Sequence, residues 1–148
     1  LYSCEEEECE EPPTVHSPFS FKFVNNDGIN ILQRVTLTDK DKSKIRFTRE
    51  DGVVVNTDLD FRLNRFFLYI IDSGEEPNGE VTKTFYINFF DVLGGEIDDI
   101  DTLKFNYELI YQDNRCVPVW FKSHNVFYND SLYHEGVKYI PSITFLKK

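Results

Sequence analysis

Apolar and polar side chains alternate along much of the chain with the two-residue period of a half-buried β-strand. Phe19-Ser20-Phe21-Lys22-Phe23 shows this alternation first. The clearest example runs from Leu103 to Tyr111, where Leu, Phe and Tyr alternate with Lys, Asn and Glu. No stretch repeats its apolar residues with the spacing of a helix face. The pattern therefore predicts a chain built from strands.

Further strands are predicted between clusters of Asn, Asp and Gly, residues that tolerate the backbone angles of tight turns. The turn clusters are Asn25-Asn26-Asp27-Gly28, Asp39-Lys40-Asp41-Lys42, Glu50-Asp51-Gly52 and Asn129-Asp130, and Glu75 to Gly79 is predicted to be an exposed loop. The strands between them are expected at about Ile31 to Thr38, Ile45 to Arg49, Val53 to Val55, Leu59 to Ile71, Val81 to Phe90, Val117 to Tyr128 and Val137 to Leu146.

Eight or nine short predicted strands and no predicted helix indicate an all-β domain. A parallel sheet would need helices to cover its faces, so an antiparallel arrangement is expected. The 148 residues suffice for one domain with one core. We expect an antiparallel β-sandwich of immunoglobulin-like or related Greek-key architecture. An eight-stranded lipocalin-like barrel is the alternative, since its length and strand number are similar. The Cys…Trp…Cys pattern of true immunoglobulin domains is absent.

The acidic character of the chain is concentrated before the domain. The formal net charge is −10, but six of the 26 acidic residues lie within residues 5–11, leaving 20 acidic against 16 basic residues elsewhere. We therefore divide the chain into an acidic, Pro-ended tail (residues 1–14) and a β-domain (residues 15–148). The domain has no clustered basic footprint, which argues against a nucleic-acid partner. No apolar run reaches the length of a transmembrane helix.

The stretch Leu1-Tyr2-Ser3-Cys4, followed by Glu5-Glu6-Glu7-Glu8, resembles the lipobox and acidic export signal of a Bacteroidetes-type surface lipoprotein. The resemblance implies a signal peptide upstream, a lipidated Cys4, and a location on the extracellular face of the bacterial outer membrane. Two or more acyl chains hold a small domain on a bilayer stably. Tyr2 departs from the usual pattern, in which a smaller or β-branched residue is commoner. The only membrane contact expected is this N-terminal lipid.

With Cys4 acylated, two of the three cysteines remain, Cys9 and Cys116. They can form a disulfide in an oxidising compartment. Alternatively, Cys9 is an unpaired thiol in a flexible acidic leader. The sequence leaves both alternatives open.

Motifs of metal-dependent or hydrolytic chemistry are missing. The histidines His16, His124 and His134 have neither an HExxH arrangement nor close ligand-like spacing. No GxSxG nucleophile elbow is present. We therefore predict that the protein is not an enzyme and needs no cofactor. The closest carboxylate cluster is Asp98, Asp99 and Asp101, which follows Gly94-Gly95 and is a candidate calcium site.

The densest aromatic region of the chain lies between residues 120 and 139. Exposed aromatic rings on a β-sandwich can stack on sugar rings while neighbouring polar groups set the orientation. The candidate ligand-binding residues are Trp120, Phe121, Tyr128, Tyr133 and His134.

These features predict a monomeric, lipid-anchored binding or accessory module at the cell surface, with glycan or nutrient capture as its role. The first alternative is a structural or adhesive envelope protein that contacts other proteins by pairing along an exposed sheet edge. The second alternative is an enzyme without a recognisable motif.

Overall fold

The computed structural model describes residues 19–31, 45–55, 58–60, 65–72, 74–89, 100–113, 119–138 and 141–147. These residues form ten strands: β1 (Phe19–Val24), β2 (Arg46–Arg49), β3 (Val54–Val55), β4 (Asp58–Asp60), β5 (Arg65–Leu68), β6 (Glu80–Asn88), β7 (Ile100–Tyr111), β8 (Val119–Tyr128), β9 (Ser131–Lys138) and β10 (Ile143–Leu146). No helix in this part of the chain is long and apolar enough to cross a membrane.

The strands form two sheets. One has four strands in the order β10-β1-β5-β4, and the other has six in the order β3-β2-β6-β7-β8-β9. Strand pairing is antiparallel except between β1 and β10. Among the described strands, no hydrogen-bonded pair joins the two sheets. The predicted all-β sandwich is therefore confirmed, and the sheets are not closed into the alternative barrel.

The strands predicted from the clearest alternation are present, but two predicted segments were too long. Leu59 to Ile71 contains β4 and β5, which pair with each other through Leu59 and Phe66. The predicted last strand, Val137 to Leu146, overlaps two strands that belong to different sheets, β9 and β10. The predicted strand from Ile31 to Thr38 lies outside the described residues beyond Ile31.

Aromatic side chains fill the space between the sheets. The three phenylalanines of β1 alternate with half-buried residues and are themselves buried. Phe19 meets Phe105 of the opposite sheet with ring centroids 5.0 Å apart, edge to face. Such pairs contribute about 0.5–1.5 kcal/mol beyond the burial of their area. The buried, alternate residues of β1 and β7 thus form much of the core between the two sheets.

The β8–β9 hairpin turns at Asn129 and Asp130, as the sequence predicts. Both residues have positive φ, 46° and 65°. Type I′ hairpin turns require this conformation, and Asn and Asp tolerate it better than most residues. Earlier in β8, the register with β9 shifts between Phe121 and His124, so a bulge interrupts the two-residue period.

Candidate functional site

A cleft of about 270 Å³ opens beside β6 on the side where β2 ends. β2 pairs with β6 only as far as Arg49, which lies opposite Phe85. The segment that follows β5 and the turn that follows β2 line the remaining space beside residues 82–84 of β6. We call this the β6 cleft. Its polar and aromatic lining includes Arg49, Asp51, Tyr69, Asp72 and Lys83.

Lys83 lies at the base of the β6 cleft because the alternation of β6 directs it to the same side as the buried Phe85 and Ile87. Its side chain is only 19% exposed. The ammonium donates to the Ile70 carbonyl at 2.7 Å and contacts carboxylate oxygens of Glu75 at 2.9 Å and Asp72 at 3.3 Å. A partly buried cation needs such acceptors to offset its lost hydration.

Glu75 connects this lysine to the core. Its Oε1 accepts the Tyr107 hydroxyl at 2.6 Å, and its Oε2 also accepts the Asp72 backbone N–H at 3.1 Å. Burial, together with the hydrogen bond to Glu75, raises the pKa of Tyr107 above its ordinary value. Glu75 is 18% exposed. The predicted loop from Glu75 to Gly79 is present, and Glu76, Asn78 and Gly79 are exposed in it, but the Glu75 side chain points inward toward these three donors.

The rim of the cleft carries a second ion pair. Arg49 Nη2 contacts Asp51 Oδ2 at 2.7 Å, and Arg49 Nη1 lies 3.7 Å from Asp72 Oδ1. The hydrogen bond from Arg49, followed by one from the Val53 backbone, lowers the pKa of Asp51. Arg49 and Lys83 thus share Asp72 between them.

Tyr69 gives the cleft an aromatic wall. Its side chain is 51% exposed, although it lies between the buried Leu68 and Ile70. The hydroxyl-bearing residues Thr82 and Thr84 line the cleft with it. The site therefore combines an accessible ring with hydroxyls, a guanidinium and carboxylates, groups that can stack on a small polar ligand and exchange hydrogen bonds with it.

Comparison with protein-family models, with curated proteins and with solved structures finds no match.

The aromatic residues proposed from the sequence serve mainly the core. Phe121 and Tyr128 are buried, which corrects the expectation that their rings face a ligand. Tyr133 is half-buried and packs edge to face on Phe145, with ring centroids 5.0 Å apart. His134 stacks on the buried His124 at 5.0 Å, and Trp120 is half-buried. Phe121, Tyr128, Tyr133 and His134 therefore pack on other rings of the domain and do not form an exposed platform.

Of the candidate calcium ligands, Asp98 and Asp99 lie outside the described residues. Asp101 is buried, and its carboxylate contacts the ammonium of Lys147 at 2.9 Å. Asp101 is thus already paired with a cation of the chain itself. Within the residues that the structure describes, no group of three or more His, Cys, Asp or Glu side chains is arranged to hold a metal ion. Cys4, Cys9 and Cys116 also lie outside the described residues.

The residues of the β6 cleft were not predicted from the sequence. One signal was available, since Lys83 interrupts an inward series formed by Val81, Phe85 and Ile87. A charged residue at an inward-facing position of a strand predicts that a group of opposite charge, or a hydrogen-bond acceptor, lies beside it inside the protein. That Tyr69 and Arg49 line one cleft was not predictable in this way, because only tertiary packing brings them to the same site.

Proposed function

We propose that the domain is a lipid-anchored binding module on the outer face of a bacterial outer membrane, and that it holds a neutral glycan in the β6 cleft. The observation that carries the proposal is the half-exposed ring of Tyr69, which lines the same cleft as the Arg49–Asp51 ion pair. An aromatic face can stack on the C–H face of a sugar, while planar charged groups beside it can bind the hydroxyls.

The charges of the cleft favour a neutral ligand. The lining carries two cations, Arg49 and Lys83, and three carboxylates, those of Glu50, Asp51 and Asp72. An anionic ligand therefore meets a net negative site. A cationic ligand would have to compete with Arg49 and Lys83, which already contact two of these carboxylates. A sugar hydroxyl can bond to the same paired groups without separating them.

The size of the cleft suits a single sugar ring or the end of a chain. Ligand pockets for drug-sized molecules start at about 300 Å³, and the β6 cleft is slightly below that. We therefore expect weak, monovalent recognition of a terminal residue and not an extended groove for a polysaccharide. This expectation agrees with an accessory or capture role better than with processing of the ligand.

A glycan array followed by calorimetric titration tests the proposal. Wild-type protein should bind neutral glycans in preference to uronic acids and sugar phosphates. Tyr69→Ala should weaken binding at least about 10-fold, the effect of losing about 1.4 kcal/mol at an interface hot spot. Tyr111→Ala is the matched control, because Tyr111 is 64% exposed but does not line the cleft. Equal binding by all three proteins, or none to any neutral glycan, would exclude this site.

The cellular address is a separate part of the proposal. It is supported by Leu1-Tyr2-Ser3-Cys4 and the glutamates that follow. Cys4→Ala in the full-length precursor should move the protein from the membrane fraction to the soluble fraction. Deleting residues 5–8 should leave it in the membrane fraction but protect it from protease added to intact cells. Unchanged fractionation of Cys4→Ala would contradict lipidation.

One observation favours the alternative role in protein contacts. Among the described strands, the eight-residue β9 pairs with β8 alone and ends the six-stranded sheet. Its Leu132 and Val137 are more than half exposed. Edge strands of this kind can accept a further strand from a partner. Cross-linking on intact cells from a photoreactive group at Val137 should capture a second protein if this alternative holds, and capture of none contradicts it.

A further inference from the structure

A second polar site lies between the sheets, away from the β6 cleft. It joins Asp101 of β7, in the six-stranded sheet, to Lys147, which directly follows β10 of the four-stranded sheet. The Lys147 Nζ atom lies 2.9 Å from Asp101 Oδ2, and both side chains are only 6% exposed. An amine and a carboxyl group are thus held in contact with little access to water.

The two oxygens of this carboxyl group receive further donors. The Tyr128 hydroxyl donates to Oδ2, and Asn129 Nδ2 donates to Oδ1 at 3.1 Å. The Asn129 side chain is itself oriented, because its Oδ1 accepts the Thr102 backbone N–H at 2.8 Å. Donors fixed on both oxygens would stabilise the negative charge that develops when a nucleophile attacks the carboxyl carbon.

Aromatic rings surround the pair. The Lys147 ammonium lies 5.2 Å from the centroid of Phe89. The ring of Tyr128 packs against Phe145 at 4.9 Å and Phe23 at 5.5 Å. Keeping two opposite charges in such surroundings costs several kcal/mol per ion before their attraction is counted. A reaction that removes both charges together is therefore favoured here more than in water.

We propose that Lys147 and Asp101 form an intramolecular isopeptide bond. The ammonium first transfers a proton to the carboxylate, which makes both groups neutral. Lys147 Nζ then attacks Asp101 Cγ, the C–N bond forms, and the C–Oδ2 bond breaks. Oδ2 leaves as water with the two protons that the nitrogen has lost, and the Tyr128 hydroxyl assists by hydrogen bonding to the leaving oxygen. No oxidant, reductant or other reactant is required.

Proximity makes this condensation feasible without an enzyme. Intramolecular reactions between well-oriented groups reach effective concentrations of about 10⁵–10⁸ M. The resulting amide would tie the two sheets covalently and close the chain between residues 101 and 147. Such a link would persist in denaturant, a useful property for a domain exposed outside a cell. The proposal does not depend on the ligand of the β6 cleft.

Mass spectrometry of the whole 148-residue chain, reduced and denatured, tests the proposal. The wild-type chain should be lighter than its sequence mass by one water molecule. Proteolysis should release a linked pair of peptides that contain Asp101 and Lys147. A wild-type chain at its full sequence mass overturns the proposal, and so does a water loss that maps to other residues.

Lys147→Arg is the matched control. Arginine retains the positive charge beside Asp101, but its guanidinium stays protonated and is not a nucleophile. This variant should appear at its full sequence mass. If it is also lighter by one water, the loss arises elsewhere and the isopeptide bond is excluded. A preparation of Tyr128→Phe should contain both linked and unlinked chains, because the link then forms without assistance from the hydroxyl. If this variant is linked as completely as the wild type, Tyr128 takes no part in the reaction.

Discussion

Tyr107 shows how a single polar atom connects the core to the β6 cleft. Its ring is buried on the inner face of β7 and meets Phe121 edge to face at 5.6 Å. Its hydroxyl reaches Glu75 at 2.6 Å, and Glu75 in turn holds Lys83. The outer end of this side chain therefore helps position the charges that line the cleft.

This hydrogen bond predicts a pH-dependent contribution to stability. Burial and Glu75 raise the pKa of Tyr107 in the folded protein, so the native state keeps its phenolic proton at a pH where the unfolded chain loses it. The contribution is therefore fully present below about pH 10, the ordinary pKa of tyrosine, and declines above it. Each pH unit above that value removes about 1.4 kcal/mol until the folded-state pKa is reached.

Tyr107→Phe provides the measurement. Urea unfolding at pH 8 should show a loss of about 1.5–3 kcal/mol, the usual value for a hydrogen bond to a charged group. At pH 11 this difference from the wild type should be smaller by about 1.4 kcal/mol. Tyr111→Phe, at an exposed position of the same strand, should change stability little at either pH. A Tyr107→Phe difference that is the same at both pH values would contradict the assignment.

Gly136 illustrates a position where the absence of a side chain matters. It lies opposite His124 in the β8–β9 pairing, under the stacked rings of His124 and His134. A Cβ atom at this position would lie 2.8 Å from His134 Nε2 and 3.1 Å from His124 Cε1. The His134 ring would have to move to make room for the Cβ atom, and this movement would disturb its stacking on His124.

We therefore expect Gly136→Ala to lower the free energy of unfolding by about 1–3 kcal/mol, the usual cost of overpacking. Thermal or urea unfolding measures it. Val137→Ala is the control from the next position of β9, where the side chain is exposed, and it should stay within about 0.5 kcal/mol of the wild type. If Gly136→Ala is as stable as the control, the stacked rings do not restrict this position.

At the scale of elements, alternation predicted the strands that have one face in the core and one outside. β1 and β7 are the clearest examples, with buried and half-buried residues in strict succession along most of their length. The hairpin of β4 and β5 was not predicted, because residues 61–64 are Phe, Arg, Leu and Asn and contain no Gly or Pro that signals a turn. The part of β9 before Val137 was not predicted, because its polar residues and Gly136 lack a clear alternation. They form a strand through pairing with β8.

The turn between β8 and β9 yields a prediction for the hairpin. Asp130 has a φ of 65°, which costs a residue with a Cβ more than it costs glycine. Asn-Gly is the favoured pair for a type I′ turn. Asp130→Gly should therefore leave stability unchanged or raise it by up to about 1 kcal/mol, whereas Asp130→Val should lower it by about 1–2 kcal/mol. Urea unfolding compares the two, and a stable Val variant would contradict the turn.

At the scale of the molecule, the two sheets are joined by an aromatic core and by polar contacts at separate places. Lys83, Glu75 and Tyr107 lie beside the β6 cleft, and Asp101 and Lys147 lie between β7 and the end of β10. The sequence predicts the core, because its apolar residues are periodic. It does not predict the polar contacts, because residues such as Asp101 and Lys147 are distant in sequence and meet only when the sheets pack.

The proposed glycan site is the β6 cleft and not the aromatic region near Trp120. Backbone amide NMR spectra of the ¹⁵N-labelled protein, recorded while the best glycan from the array is added, test it directly. We predict that the shifted signals belong to the residues that line the cleft, 49–51, 69–70, 72 and 82–85, with those of Tyr111 and Trp120 unchanged. Shifts centred on Trp120 and His134, or no shifts with any neutral glycan, would contradict the claim.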